Sequence, residues 1–126
     1  MIQLLLMATM LVLMEHGLNN LKFYNNFQNK VDVVKNNFLD FLLKAAKEQT
    51  KVVAYGAAAK GNTFLNYCGV RKDLIQFIID ASPYKQNKFI PGAHIPVYSE
   101  TLLKETKPDF ILILPWNLKS EISTQL

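Results

Sequence analysis

The stretch Lys51 to Thr63, KVVAYGAAAKGNT, constrains this chain more than any other. An apolar run rich in β-branched residues stops at Gly56, and a loop of small residues follows. Phe64-Leu65-Asn66-Tyr67-Cys68 then continues with amphipathic spacing. A strand, a small-residue loop and a helix start bring several backbone N–H groups to one point with little side-chain bulk over them. Such a turn is a seat for phosphate or another anion. Ile75 to Asp80, IQFIID, reads as a second strand ending in an acid, about two dozen positions after Gly56. In nucleotide-binding βαβ units an acid about 20 residues beyond the glycine loop grips ribose hydroxyls.

The match departs from both familiar phosphate loops. Against G-x-G-x-x-G the residues are Gly56-x-Ala58-x-x-Gly61. Ala58 puts a methyl group where the second glycine lets a pyrophosphate approach the backbone, which argues against ordinary tight NAD binding. Against the P-loop, Asn62 stands where the lysine belongs and Lys60 precedes Gly61, which argues against a Walker site. On spacing alone, a tight β-to-α turn that binds nothing competes evenly with an anion seat.

Bulk properties narrow the class. A chain of 126 residues, half of them hydrophobic, is one domain with one real core. The 14 basic and 10 acidic residues leave a net charge of +4. The lysines are scattered, so no nucleic-acid arm is expected; the balance fits an anionic small ligand and, equally, plain solubility. The single cysteine, Cys68, excludes an internal disulfide and reads as a small core hydrophobe rather than a nucleophile. With one cysteine and two histidines, His16 and His94, no metal site is expected. The opening MIQLLLMATMLVLM is almost wholly apolar. It is shorter than the roughly 20 residues of a spanning helix and lacks the basic start of a signal peptide. It reads as a buried helix or a sticky end that pairs chains, in a cytoplasmic protein without a membrane anchor.

Period and punctuation predict the elements. Phe27, Val31, Val34, Phe38, Leu42 and Ala45 recur at helical steps between Phe23 and Lys47, with Phe41 beside them. Strand one is predicted at Lys51 to Tyr55, with a helix after the loop to Tyr67 and Gly69 as its stop. Strand two is predicted at Gln76 to Asp80. Ala81 to Pro96 carries Pro83, Pro91, Gly92 and Pro96 and reads as irregular. A short extended piece follows at Ile95 to Tyr98, then Ser99 as an N-cap with Leu102 and Leu103 behind it. Phe110 to Leu114 is a fully buried strand, ended by Pro115-Trp116-Asn117, and a last helix covers Lys119 to Thr124. Alternating strands and helices predict a small parallel α/β sheet flanked by helices, with a long N-terminal helix. The domain covers 23–126, behind an apolar, helical segment 1–22. Ligands on such sheets sit beyond the carboxyl ends of the strands. Three clusters should meet there: Gly56 to Thr63, Asp80 to Gln86, and Pro115 to Asn117.

Three segments, GAAAKGNT, IIDASPYKQNKFIPGAHIPVY and KPDFILILPWNLKSEI, closely resemble the C-terminal domain of sugar C-methyltransferases. The resemblance covers Glu15 to Gln125. It implies a Rossmann-like fold that helps hold a nucleotide-diphosphate sugar against a middle domain binding S-adenosylmethionine. It implies further that zinc and the methyl donor belong only to upstream domains, so this stretch binds no cofactor itself and is inactive alone. An upstream methyltransferase domain on another chain is an expected partner. No catalytic residue is assigned here, because the family's general base belongs to the middle region.

Site roles follow as expectations. Lys60 neutralises a diphosphate oxygen, or is a solvated lysine at a helix start. The backbone N–H groups from Ala58 to Gly61 donate to the same diphosphate, with Gly56 shaping the turn. Asn62 or Thr63 caps the helix or touches phosphate. Asp80 accepts from a sugar or ribose hydroxyl, or is a turn acid. Lys85 and Gln86 reach the cleft or face solvent. Trp116 and Asn117 face the ligand or cap the packing. His94 is a turn histidine rather than a catalytic acid. Two other classes compete: a free-standing nucleotide or dinucleotide binder, and a self-associating module paired through its apolar N-terminus.

Overall fold

The computed structural model describes residues 21–126. The apolar segment 1–22, apart from its last two residues, and its pairing role therefore lie outside the described residues. Helix α1 spans Leu21–Lys47, and β1 follows at Val52–Tyr55. Helix α2 is Ala59–Tyr67, β2 Ile78–Ile79, β3 Lys88–Phe89 and β4 Pro96–Tyr98. Helix α3 is Glu100–Thr106, β5 Phe110–Ile113 and α4 Lys119–Gln125.

The long helix forms where the 3- and 4-residue apolar steps were read. Val31, Val34, Phe38, Leu42 and Ala45 are all buried. Lys44 and Lys47 in its last turn suit the negative end of the helix dipole. The helix closes through Gln49, at φ 56°, while the Thr50 N–H and hydroxyl both donate to the Ala45 carbonyl. A non-glycine residue carries this left-handed closure, which is why no glycine marks it in the sequence.

The five strands are ordered β3-β4-β2-β1-β5. β1 pairs in parallel with β2 and β5, and β2 with β4. The short β3 pairs antiparallel with β4 at the edge, inside the stretch expected to be irregular. β2 is shorter than read, yet its approach still feeds the sheet. Gln76 N donates to Val52 O and Ala54 N to Phe77 O. Strand alternation divides the core. Val52, Ala54, Ile78, Val97 and Leu112 pack with Phe38 and Leu42 of α1 and Phe64 and Leu65 of α2. Val53, Tyr55, Ile79, Ile111 and Ile113 pack with Ile122 of α4 and with Leu102 and Leu103 of α3.

The chain runs outward from β1 to β2 and β4, then returns to the other side of β1 as β5. The reversal places a topological switch point between the carboxyl ends of β1 and β5. Two glycines let the chain close there. Gly56 has φ 87°, and a Cβ on it would lie 2.5 Å from Pro115 Cδ. A Cβ on Gly61 would lie 2.6 Å from Leu114 Cβ. Alanine at position 61 should therefore destabilise the fold by about 1–3 kcal/mol through overpacking, against its better helix propensity. Thermal unfolding of Gly61→Ala checks this; an unchanged midpoint would contradict the close approach.

Candidate functional site

At the carboxyl end of β1 the main chain turns sharply and uses its first amides internally. Gly56 N donates to Ile79 O at 2.7 Å, Ala57 N to Asp80 Oδ2 at 2.7 Å, and Ala58 N to Gly56 O at 2.8 Å. The first helical bond runs from Asn62 N to Ala58 O. Between them, the N–H groups of Ala59, Lys60 and Gly61 make no hydrogen bond to the described residues. Four donors were expected from Ala58 onward; the structure leaves three, beginning one residue later.

No side chain among the described residues caps this helix. Its N-cap is Ala58, which has no hydrogen-bonding side chain and is among the poorest caps. Asn62 and Thr63, expected as caps, lie beyond the first three helical residues. Asn62 Oδ1 accepts from Asn66 Nδ2 at 3.0 Å, and Thr63 Oγ1 donates to Ala59 O at 3.1 Å. The physical reason is Gly61. It resembles the end of a loop, yet its bare Cα lets the first helical turn seat against Leu114.

Asp80 is buried and ties the turn to the end of β2. Oδ2 accepts from Ala57 N and from Lys85 Nζ, the latter at 3.2 Å, and Oδ1 accepts from Ser82 N at 2.8 Å. Its carbonyl accepts from Gln86 Nε2 at 2.9 Å. This is the turn-acid role. The three donors to its side chain fix the carboxylate within the turn. Lys85, half exposed beside Asp80, keeps a positive charge on this edge.

From β5, Pro115 covers Gly56 and leads into Trp116. Lys60 Nζ lies 5.5 Å from the Trp116 ring centroid, a cation–π distance. The indole Nε1 is buried and has no hydrogen-bond partner among the described residues. Asn117 follows, exposed, in the short 3-10 turn Trp116–Leu118. The three predicted clusters thus meet at one edge through contacts of Gly56 with Pro115, Lys60 with Trp116, and Ala57 with Asp80 and Lys85. Asn62 turns along its own helix instead.

The sequence reading missed Tyr55 and Glu100. The Tyr55 hydroxyl donates to Glu100 Oε1 where α3 meets the sheet. That bond, then burial, then the charges of Glu100 and Asp80 push the phenol up to about 12. Only the β1–α3 packing unites two residues so far apart in sequence. Cys68 is buried, and burial pushes its thiol up to about 11 against the opposing pull of Lys35. The residue is a core hydrophobe. His94, at φ 55°, donates its N–H to Ile90 O and stacks on Phe89 with centroids 4.3 Å apart. It precedes β4 and so lies at the opposite end of the sheet from the cluster.

The chain is thus a mostly parallel α/β domain with a helix that lacks a side-chain cap at its switch point. No helix among the described residues is long and apolar enough to cross a membrane. Residues 10–126 match the C-methyltransferase C-terminal domain, and the chain belongs to that family. It is similar to the C-methyltransferase NovU of Streptomyces niveus, with 30% identity over 106 residues. That alignment covers 84% of this chain and 25% of the relative, so the chain spans about a quarter of that protein's length.

Removing the Asp80 knot should loosen the turn. Asp80→Ala is expected to cost about 2–3 kcal/mol in urea unfolding, the scale of charge-assisted bonds made to buried amides. A loss below 0.5 kcal/mol, roughly the noise of a surface change, would contradict the role given to it. Tyr55 yields a second expectation. Its folded pKa lies above the ordinary value of 10, so its stabilisation is complete below pH 10. That contribution disappears as pH rises through the window from 10 to about 12. Stability should therefore fall more steeply over this window in the native sequence than in Tyr55→Phe. Parallel curves would refute the assignment.

Proposed function

We propose that this domain binds the diphosphate of a nucleotide sugar at the start of α2 and holds that substrate for C-methylation. The observation that carries the reading is the uncapped helix: Ala59, Lys60 and Gly61 have three N–H groups that bond to none of the described residues. A helix N-terminus favours negative charge by about 0.3–1 kcal/mol at an exposed site. The Lys60 ammonium adds a charge-assisted contact of about 1.5–3 kcal/mol where water is excluded. The Trp116 ring lies against the same lysine and offers an apolar face beside the phosphates. Lys85 supplies a second cation one strand away, beyond Asp80.

The family supplies the reaction class. A C-methyltransferase needs an acceptor positioned against a methyl donor. The donor and zinc belong to other domains of such an enzyme, on the same chain or a partner chain. This domain then binds without transferring. NAD is a weaker fit, because the Ala58 amide is turned to Gly56 O and both Asp80 oxygens already accept bonds.

Calorimetry with a thymidine diphosphate sugar, NAD and S-adenosylmethionine tests the choice. The sugar nucleotide should bind and the other two should be at least tenfold weaker. A preference for NAD would overturn the reading. Lys60→Ala should weaken the sugar nucleotide about tenfold, equivalent to about 1.4 kcal/mol. A change within twofold would remove Lys60 from the phosphate role.

A further inference from the structure

The apolar row of α1 runs on past the core that it packs against. Phe38, Val34, Val31, Phe27 and Tyr24 follow one another at steps of three and four residues, so they share one face of the helix. Exposure climbs along that row: Phe38 is 2% exposed, Val34 6%, Val31 9%, Phe27 is half-buried and Tyr24 is 51% exposed. The row stays apolar while the cover from the rest of the described domain runs out. Tyr24 also lies one turn before Gln28, on the same side of the helix. Gln28 Nε2 donates to the Tyr67 hydroxyl at 3.1 Å, and that hydroxyl donates to Asp32 Oδ1 at 3.1 Å. Tyr67 is the last residue of α2, and it is 46% exposed. Leu21, in the first turn of α1, is exposed as well. Leu21, Tyr24, Phe27 and Tyr67 thus form an apolar patch at the start of α1, beside the opposite end of α2 from Ala59, Lys60 and Gly61.

Contiguous apolar surface of this kind marks a contact site, and the chain carries a segment of matching chemistry. Met1 to Met14 holds no charged residue, and only Gln3 and Thr9 in it are polar. Six residues, Glu15 to Asn20, join it to Leu21. Connections of that length link antiparallel helices in bundles. Gly17 suits the stop of one helix, and Asn20 suits the cap of the next. Fourteen helical residues reach about 20 Å, and the part of α1 from Leu21 to Lys30 covers about 15 Å, so the two lengths match. Residues 1–9 precede the stretch that matches the family, which makes this feature one of this chain rather than of its relatives.

We infer that residues 1–14 fold back as a helix along the first turns of α1 and cover Leu21, Tyr24, Phe27 and Tyr67 of the same chain. Both surfaces are apolar, so the contact removes both from water. The occupant is the chain's own segment rather than a second copy. Its short connection holds it beside the patch at a high effective concentration, which a separate chain has to match by mass action. The contact extends the buried face of α1 to the start of the helix. It does not involve the edge around Asp80, so it holds or fails independently of nucleotide-sugar binding.

A nitroxide label on Thr9→Cys in the full chain tests the contact, because the native Cys68 is buried and escapes labelling. In a proton–nitrogen correlation spectrum the amide signals of Leu21, Tyr24, Phe27 and Tyr67 should lose most of their intensity. Signals of α4, on the opposite face of the sheet, should keep theirs. Spin-labelled chain without isotope is then mixed with isotope-labelled chain without nitroxide, and this mixture should show no loss. Loss in the mixture would overturn the inference and make a second copy the occupant. Full intensity at the four amides in the labelled chain would overturn it outright. Leu4→Asp combined with Leu11→Asp checks the contact without a label. Hydrogen exchange from Leu21 to Lys30 should then quicken about tenfold or more while β1 keeps its protection. Unchanged exchange at the start of α1 would contradict the contact.

Discussion

The carboxylate of Asp80 organises this domain's functional edge. One oxygen accepts from Ala57 N and Lys85 Nζ, the other from Ser82 N, and the carbonyl of the same residue accepts from Gln86. A buried carboxylate must be satisfied by such donors or it destabilises the fold. Satisfying it ties the turn after β1 to the end of β2, and the next three amides, those of Ala59, Lys60 and Gly61, bond to none of the described residues. The turn also depends on two close approaches, Gly56 to Pro115 and Gly61 to Leu114, which press it onto the end of β5. Together they set α2 at the switch point without a side-chain cap.

That arrangement gives the edge two chemical regions. On the β1–β5 side lie free main-chain donors, a lysine and an aromatic ring. On the β4 side a groove is lined by the amides of Gln86 and Asn87, the hydroxyls of Tyr98, Ser99 and Thr101, the apolar Leu102 and the Glu105 carboxylate. Lys85 stands between them, paired with Asp80 and still half exposed. The Tyr55–Glu100 bond joins the sheet to the first turn of α3 and so steadies the wall that carries Ser99, Thr101 and Glu105.

Much of the fold was legible because the signals were local. The apolar period of α1, the β-branched run of β1, the unbroken FILI of β5 and the stop at Gly69, with φ 69°, each follow from adjacent residues. The convergence of Gly56, Asp80 and Trp116 was legible too, since it follows from parallel strand order. Fine roles were not. Asn62 resembled a cap, but the helix had already begun at Ala59 because Gly61 packs as a helical residue. Asp80 resembled a ligand contact, but the amides that occupy it belong to a turn whose direction only the tertiary packing sets. Strand β3 left no period because it has two residues, both exposed. The Tyr55–Glu100 pair and the groove at Gln86 arise from contacts between distant segments, which no local pattern encodes.

The central claim is that the main-chain N–H groups of Ala59, Lys60 and Gly61 are the domain's anion receptor. The most direct measurement is a proton–nitrogen correlation spectrum titrated with thymidine diphosphate. The account requires the amide protons of these three residues to move downfield together and to gain protection from solvent exchange. Ala57 and Ala58, already bonded within the protein, should shift much less. Saturable binding that leaves the three resonances in place would contradict it.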